Sequence, residues 1–194
     1  MYVPTIRTSH VADGAGFGVD NDDTSSWYKI HHNFMYLGGG VKCDYDGHEK
    51  RFYNNVMLGT TAGCWHTCAY EAGFPDFCHD NKLVQGASRN GVVPPFAIIW
   101  FCDPKNVSHI SPDYDNQVQM GLYIHDNAIY NDQAHATVTC GYSGPPSATT
   151  PNLTTWLDAG LMKGSTVHKT PEDAEVLGWA RELLGMAPAS GSTA

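Results

Sequence analysis

No run of apolar residues in this chain of 194 approaches the ~20 needed to cross a bilayer as a helix, so no membrane span is expected. Basic charge is scarce. Lys and Arg number 11 against 20 Asp and Glu, a formal net charge of −9, which argues against a nucleic-acid backbone or an anionic membrane surface as partner. Anionic sugars stay open, because a local basic groove or a bound cation overrides net charge. Long helical periodicities are few. There is no Gly-rich phosphate loop and no G-x-S-x-G nucleophile elbow. The opening residues, MYVPTIRTSH, lack the basic-then-apolar pattern of a secretory signal.

What the chain does have is a hydrophobic fraction of 42%, enough for a core, with Gly 20, Pro 11 and Tyr 10. That composition points to one turn-rich all-β domain of ordinary size. Four segments carry a shared pattern: Ile30-His31-His32-Asn33-Phe34-Met35, Phe52-Tyr53-Asn54-Asn55-Val56-Met57, Cys78-His79-Asp80-Asn81-Lys82-Leu83 and Ile124-His125-Asp126-Asn127-Ala128-Ile129. Each has an apolar residue three before an Asn, a polar residue just before it and an apolar residue two after it. Asn33, Asn55, Asn81 and Asn127 are separated by 22, 26 and 46 residues. Because 46 is two steps of 23, a repeat in the low twenties is expected, with a degenerate coil near Cys102 to Val107 in which Asn106 takes the corner.

Stacked coils of this length describe a parallel β-solenoid of roughly five coils over residues 1–140. An Asn at the same corner of every coil can donate and accept through its amide, so the four form a hydrogen-bonded ladder; the plainer reading is that Asn is a common turn residue. Phe34 to Leu37, Val56 to Leu58, Ala97 to Phe101 and Leu122 to Ile124 read as strands. Residues 141–194 differ. After the breaker Ser143-Gly144-Pro145-Pro146-Ser147, residues 152–160 form a second short helix with Trp156. Thr170-Pro171-Glu172-Asp173 starts a helix with Thr170 as N-cap, carried by Val176, Trp179, Ala180 and Leu183 and ended at Gly185. Its expected role is a lid over the last coil, before a frayed tail. No matching N-terminal cap is visible. The reading is the C-terminal portion of a longer solenoid, or a chain whose first coil meets a partner or a second copy.

Residues Gly16 to Ile30, with Asp20, Asp22, Asp23 and Ser25-Ser26-Trp27-Tyr28-Lys29-Ile30, resemble a segment of secreted right-handed parallel β-helix proteins of the pectate-lyase-like superfamily, where it reads roughly D-x-D-D-G-S-S-x-Y-x-I before an N-N turn. Gly38 to Glu49 is similar to the segment that follows there, G-x-K-x-D-x-x-G-H-D, and Gly164 to Gly185 to the closing tail. Thr24 stands where the family has Gly, and Glu49 where it has Asp. The resemblance spans most of residues 16–185. It implies the β-helix fold and a secreted protein working on polysaccharide, as a lyase, uronate epimerase or hydrolase, but no single activity.

Three constellations are candidates for chemistry. Asp20, Asp22 and Asp23 supply hard oxygen ligands for Ca²⁺, which in the resembled lyases bridges an acidic sugar to the protein; otherwise they cap a turn. Lys42, Asp44, Asp46, His48 and Arg51 combine a cation to neutralise a uronate carboxylate, a base, and carboxylates to orient it, which is what abstraction of the C5 proton needs. Lys42, Asp44 and Asp46 alternate along an extended segment and so share a face; the plainer reading is a polar loop turned by Gly47. In the third, Cys64-Trp65-His66-Thr67-Cys68 with Cys78-His79, the spacing matches no strong zinc template, and Trp65, His66 and Tyr70 are read as a sugar-binding surface. His31, His32, His125 and His135 are assigned to turns rather than to metal.

The six cysteines, Cys43, Cys64, Cys68, Cys78, Cys102 and Cys140, suit a disulfide framework. With the sequons at Asn106 and Asn152 they point to secretion and glycosylation. Two functions are expected in competition: a secreted carbohydrate-active or carbohydrate-binding protein, and a non-catalytic extracellular or cell-surface module that assembles with other chains.

Overall fold

The structure, a computed structural model, describes residues 19–21, 25–38, 41–43, 48–59, 62–66, 76–85, 97–101, 122–130, 137–140 and 162–187. Among them are fourteen short strands and one helix. All strand pairings are parallel, and they build three sheets. The first holds β1 (Val19–Asn21), β4 (Val41–Cys43), β7 (Ala62–His66), β10 (Ala97–Phe101) and β13 (Thr137–Cys140). The second holds β2 (Lys29–His31), β5 (Arg51–Tyr53), β8 (Asp76–His79) and β11 (Leu122–His125). The third holds β3 (Phe34–Gly38), β6 (Val56–Gly59), β9 (Lys82–Gln85), β12 (Ala128–Tyr130) and β14 (Thr166–His168). Over four passes the chain visits the sheets in rotation, one strand in each, and returns to lie beside its previous pass; the described strands of a fifth lie in the first and third sheets.

The pleat sorts side chains by alternation. On the second sheet Ile30, Phe52, Cys78 and Ile124 face inward, and on the third Met35, Met57, Leu83 and Ile129; all eight are buried. Register carries them into two aligned columns: Ile30 beside Phe52, Phe52 beside Cys78, Cys78 beside Ile124. No pass could bury these residues alone; each is covered by its neighbours in the stack. Cys78 is disulfide-bonded, and its partner lies outside the described side chains.

The expected extra coil near Asn106 is overturned. Strand β8 pairs directly with β11 and β9 with β12, so Asn81 and Asn127 stand on adjacent passes. The 46-residue gap is one pass with a long excursion, not two passes of 23. Parallel pairing fixes the stacking of strands and puts no bound on the length of the connection between them. The fifth pass lies after Asn127 instead, through β13 and β14.

The C-terminal helix α1 (Asp173–Leu183) also departs from expectation. It begins at Asp173 with Glu172 at the N-cap, whose side chain makes no capping bond, rather than at Thr170-Pro171. It ends as expected: Gly185 takes φ +66°, Met186 N donates to Arg181 O at 2.8 Å and Gly185 N to Glu182 O at 3.0 Å. The helix is no lid on the last coil. It lies on the outward face of the third sheet, where Val176 closes a cluster with Val56, Leu58 and Val84, flanked by Trp179, Leu183, Phe34, Tyr36 and Tyr130. The outward Val56, Leu58 and Val84 are apolar and need cover, which is why the amphipathic face goes there. On β14 the inward position, Val167, in register with Ile129, is 47% exposed.

Candidate functional site

The corner between the second and third sheets organises the outer surface. Asn33, Asn55, Asn81 and Asn127 sit there, buried, and form the expected ladder. The Nδ2 of Asn33 donates to Asn55 Oδ1, that of Asn55 to Asn81 Oδ1, and that of Asn81 to Asn127 Oδ1, each at 3.0 Å. The same oxygens accept the backbone N–H of the preceding Asn at 3.0–3.1 Å. Each Nδ2 also donates to a carbonyl of the second-sheet column: His31, Ile30, Phe52 and Cys78 in turn. Ser165 continues the series, its Oγ accepting Asn127 N at 3.0 Å, a rung that the Asn pattern does not reveal. At the other end, among the described residues, Asn33 Oδ1 is buried and accepts no bond.

The residue before each ladder Asn has left-handed backbone: His32 (φ 55°), Asn54 (φ 53°), Asp80 (φ 52°) and Asp126 (φ 52°). Only Gly, and next Asn, Asp and His, take that region at small cost, which explains the polar residue in the repeated pattern. The turn lays this row of corner residues on the surface beside the outward residues of the second sheet.

Those outward residues stack. The rings of His31 and Tyr53 lie 4.7 Å apart at 15°, Tyr53 and His79 5.2 Å at 2°, and His79 and His125 4.7 Å at 4°. Two residues back, Lys29, Arg51, Phe77 and Tyr123 form a parallel row; the Arg51 guanidinium lies 4.6 Å from the Phe77 ring centre and Phe77 meets Tyr123 edge-on at 6.1 Å. On two successive passes a corner carboxylate engages the neighbouring imidazole: Asp80 Oδ2 lies 2.6 Å from His79 Nδ1, and Asp126 Oδ2 2.7 Å from His125 Nδ1. Such a bond places the ring proton on Nδ1 and leaves the Nε2 lone pair available as a base. At the start of the row His31 Nδ1 and His32 Nδ1 are 2.8 Å apart. Desolvation, then the charges of His32 and Lys29, hold His31 below the usual histidine value.

Around the corner a cleft of about 340 Å³ opens between His32, Asn54 and Asp80 on one side and Trp179, Glu182 and Leu183 of α1 on the other. Lys82 Nζ lies 4.1 Å from the Trp179 ring centre at its edge.

Of the expected catalytic group, Arg51 is on this outer face, ion-paired to Glu49 at 3.5 Å. His48 is not; it meets Trp27 edge-on at 5.3 Å, before β5. Its backbone N–H donates to Ser26 Oγ. Asp44 and Asp46 lie outside the described residues, and Lys42 is in β4 without a described side chain. The adjoining Lys50 points inward and forms a buried pair with Asp76, Nζ to Oδ2 3.7 Å, each side chain 1% exposed, with Lys50 N donating to Asp76 Oδ1 at 2.8 Å. Trp65 and His66 lie in β7 without described side chains, and Tyr70 outside the described residues. Asp22 and Asp23 fall outside as well, and Asp20 is placed only by its backbone in β1, so the calcium expectation rests on undescribed side chains. So do Cys43, Cys64, Cys68, Cys102 and Cys140, and the sequons at Asn106 and Asn152. Among the described residues no group of three or more His, Cys, Asp or Glu gathers around a metal position, and no helix is long and apolar enough to cross a membrane.

The His79–Asp80 and His125–Asp126 pairs are what residue-by-residue reading missed. Their signal, His-Asp-Asn at the same place in two repeats, is in the sequence, where His125 reads as turn chemistry and His79 groups with the Cys64–Cys78 cluster. Comparison with protein-family models, curated proteins and solved structures finds no match to the chain.

Proposed function

We propose that the chain is a right-handed parallel β-helix of the pectate-lyase-like kind, secreted, and that it acts on or binds an acidic polysaccharide along the outer face of its second sheet. The rotation through three parallel sheets supports the solenoid, and the strong preference for right-handed crossovers supports its hand. Disulfide-bonded Cys78 and the two sequons favour an oxidising compartment.

One observation carries the functional reading: two imidazoles, each oriented by a carboxylate, on successive passes of a face that also presents Lys29 and Arg51. Proton abstraction beside a sugar carboxylate needs a base and a neutralising cation. His79 Nε2 is the base, with His125 as its equivalent one pass on, and Arg51 is the cation. A polymer running along the stack would meet an imidazole or phenol ring at each strand spacing, ~4.8 Å.

Incubation with alginate, pectate and glycosaminoglycans, followed by ultraviolet absorbance of unsaturated products and by reducing ends, tests activity. Retardation in gels containing the same polymers tests binding. Replacing His79 by Asn and Arg51 by Gln should abolish the first and weaken the second. Silence in both assays on all polymers refutes the proposal.

A second reading, an extracellular module assembling with other chains, is favoured by the exposed inward Val167 and by the outer edge of β14, which pairs with no strand among the described residues. Light scattering over a hundredfold concentration range separates the two; a constant monomer mass removes the second.

A further inference from the structure

We propose that His31 and His32 form a chelating site for a divalent copper ion, through their two Nδ1 atoms. Two nitrogens bound at about 2.0 Å in adjacent positions of a square-planar ion lie about 2.8 Å apart, and the two Nδ1 atoms are 2.8 Å apart. The rings meet at 85° with their centres 5.0 Å apart, so the two are not stacked face to face.

The pair is held by the scaffold. Asn33, on the next residue, is locked into the ladder and donates back to His31 O at 3.0 Å, and His32 N donates to Asn54 O at 3.1 Å. The φ of 55° at His32 turns its side chain back toward that of His31. On its other flank the His31 ring is packed flat on Tyr53. Little side-chain entropy is left for metal binding to cost.

In the metal-free pair one Nδ1 donates its proton to the other. Metal binding replaces that bond: the donor ring carries its proton on Nε2 instead, both rings stay neutral, and both Nδ1 lone pairs reach the ion. Water fills the other positions. Copper is the choice among first-row divalent ions because a cis pair of nitrogens suits its tetragonal geometry and because it binds nitrogen most tightly in that series. The site stands apart from the base assigned above, with Tyr53 between His31 and His79.

The repeat supplies its own conservative variants. The next pass carries Tyr53 in register with His31, and Asn54 at the corner position of His32 with φ 53°. His31→Tyr and His32→Asn therefore keep the residue types that this framework already accepts. Copper(II) chloride is titrated into the full chain in the presence of glycine as competitor, followed by calorimetry and by electron paramagnetic resonance. The expected result is one equivalent bound with splitting from two nitrogens, and at least a tenfold loss of affinity in each variant, with His79→Asn unchanged. Absence of binding, or affinity kept in either His31→Tyr or His32→Asn, overturns the chelate. Circular dichroism confirms that the variants are folded.

Discussion

Removing one internal rung of the asparagine ladder should cost far more than removing the first. In Asn81→Ala four hydrogen bonds are lost besides the long contact to Cys78 Sγ. Asn81 Oδ1 accepts from the N–H and Nδ2 of Asn55, and Asn81 Nδ2 donates to Phe52 O and Asn127 Oδ1. Asn55 Nδ2 keeps Ile30 O, and Asn127 Oδ1 keeps Asn81 N. The Asn55 N–H and the Phe52 carbonyl lose these partners inside the protein. A stranded buried group costs about 1–3 kcal/mol, so the substitution should destabilise by about 3–5 kcal/mol, a large part of the 5–15 kcal/mol typical of a domain. In Asn33→Ala no N–H is stranded, because Asn33 Oδ1 accepts none; only His31 O and one of the two donors to Asn55 Oδ1 are lost. About 1–2 kcal/mol follows. Urea unfolding monitored by circular dichroism, with slopes checked for equality between variants, measures both. Equal costs at the two positions, or less than about 1 kcal/mol at Asn81, would show that the ladder is not a stabilising unit.

Asp76→Ala removes the carboxylate paired with the buried Lys50 ammonium and should cost about 3–5 kcal/mol, with Lys50→Met added on top restoring part of it in a double-mutant cycle by thermal unfolding. Gly164→Ala should cost at least about 1–2 kcal/mol, because φ is +75° and the new Cβ falls on the Asp126 carboxylate; the nuclear magnetic resonance signals of His125 should shift as Asp126 moves away. His31, held below its usual value, favours the neutral form in the folded state; its stabilising contribution is present above about pH 6.5 and is lost as pH falls below that. A proton titration should find His31 charging at lower pH than an unfolded histidine, and His31→Tyr should flatten the stability profile in that window; a normal His31 titration refutes the assignment.

The ladder and the inward columns were legible because they repeat: Asn33, Asn55, Asn81 and Asn127, with an apolar residue before and after, mark the same corner four times. Two things that do not repeat were misplaced. The gap before Asn127 was divided by arithmetic, although a parallel stack leaves loop length free. The fate of α1 depended on which outward strand positions were apolar; Val56, Leu58 and Val84 contain that information, but only the register brings them together. The surface was harder still. His79 and His125 are 46 residues apart in sequence and stacked at 4.7 Å in space, and the Lys50 side chain, which looks like part of a polar cluster, turns inward to Asp76.

The left-handed corner separates support from display. At residues 32, 54, 80 and 126 the backbone is held by the buried Asn that follows, so the side chain at each position contributes little to folding beyond tolerating positive φ. His, Asn and Asp already occur there. A row of four such sites, one per strand spacing, is a scale on which charge can be rewritten at ~4.8 Å intervals without disturbing the core. Ligand preference on this face can then change by single substitutions, each close to neutral for stability, and a designer could set the sequence of charges along the edge to match the spacing of a chosen polymer.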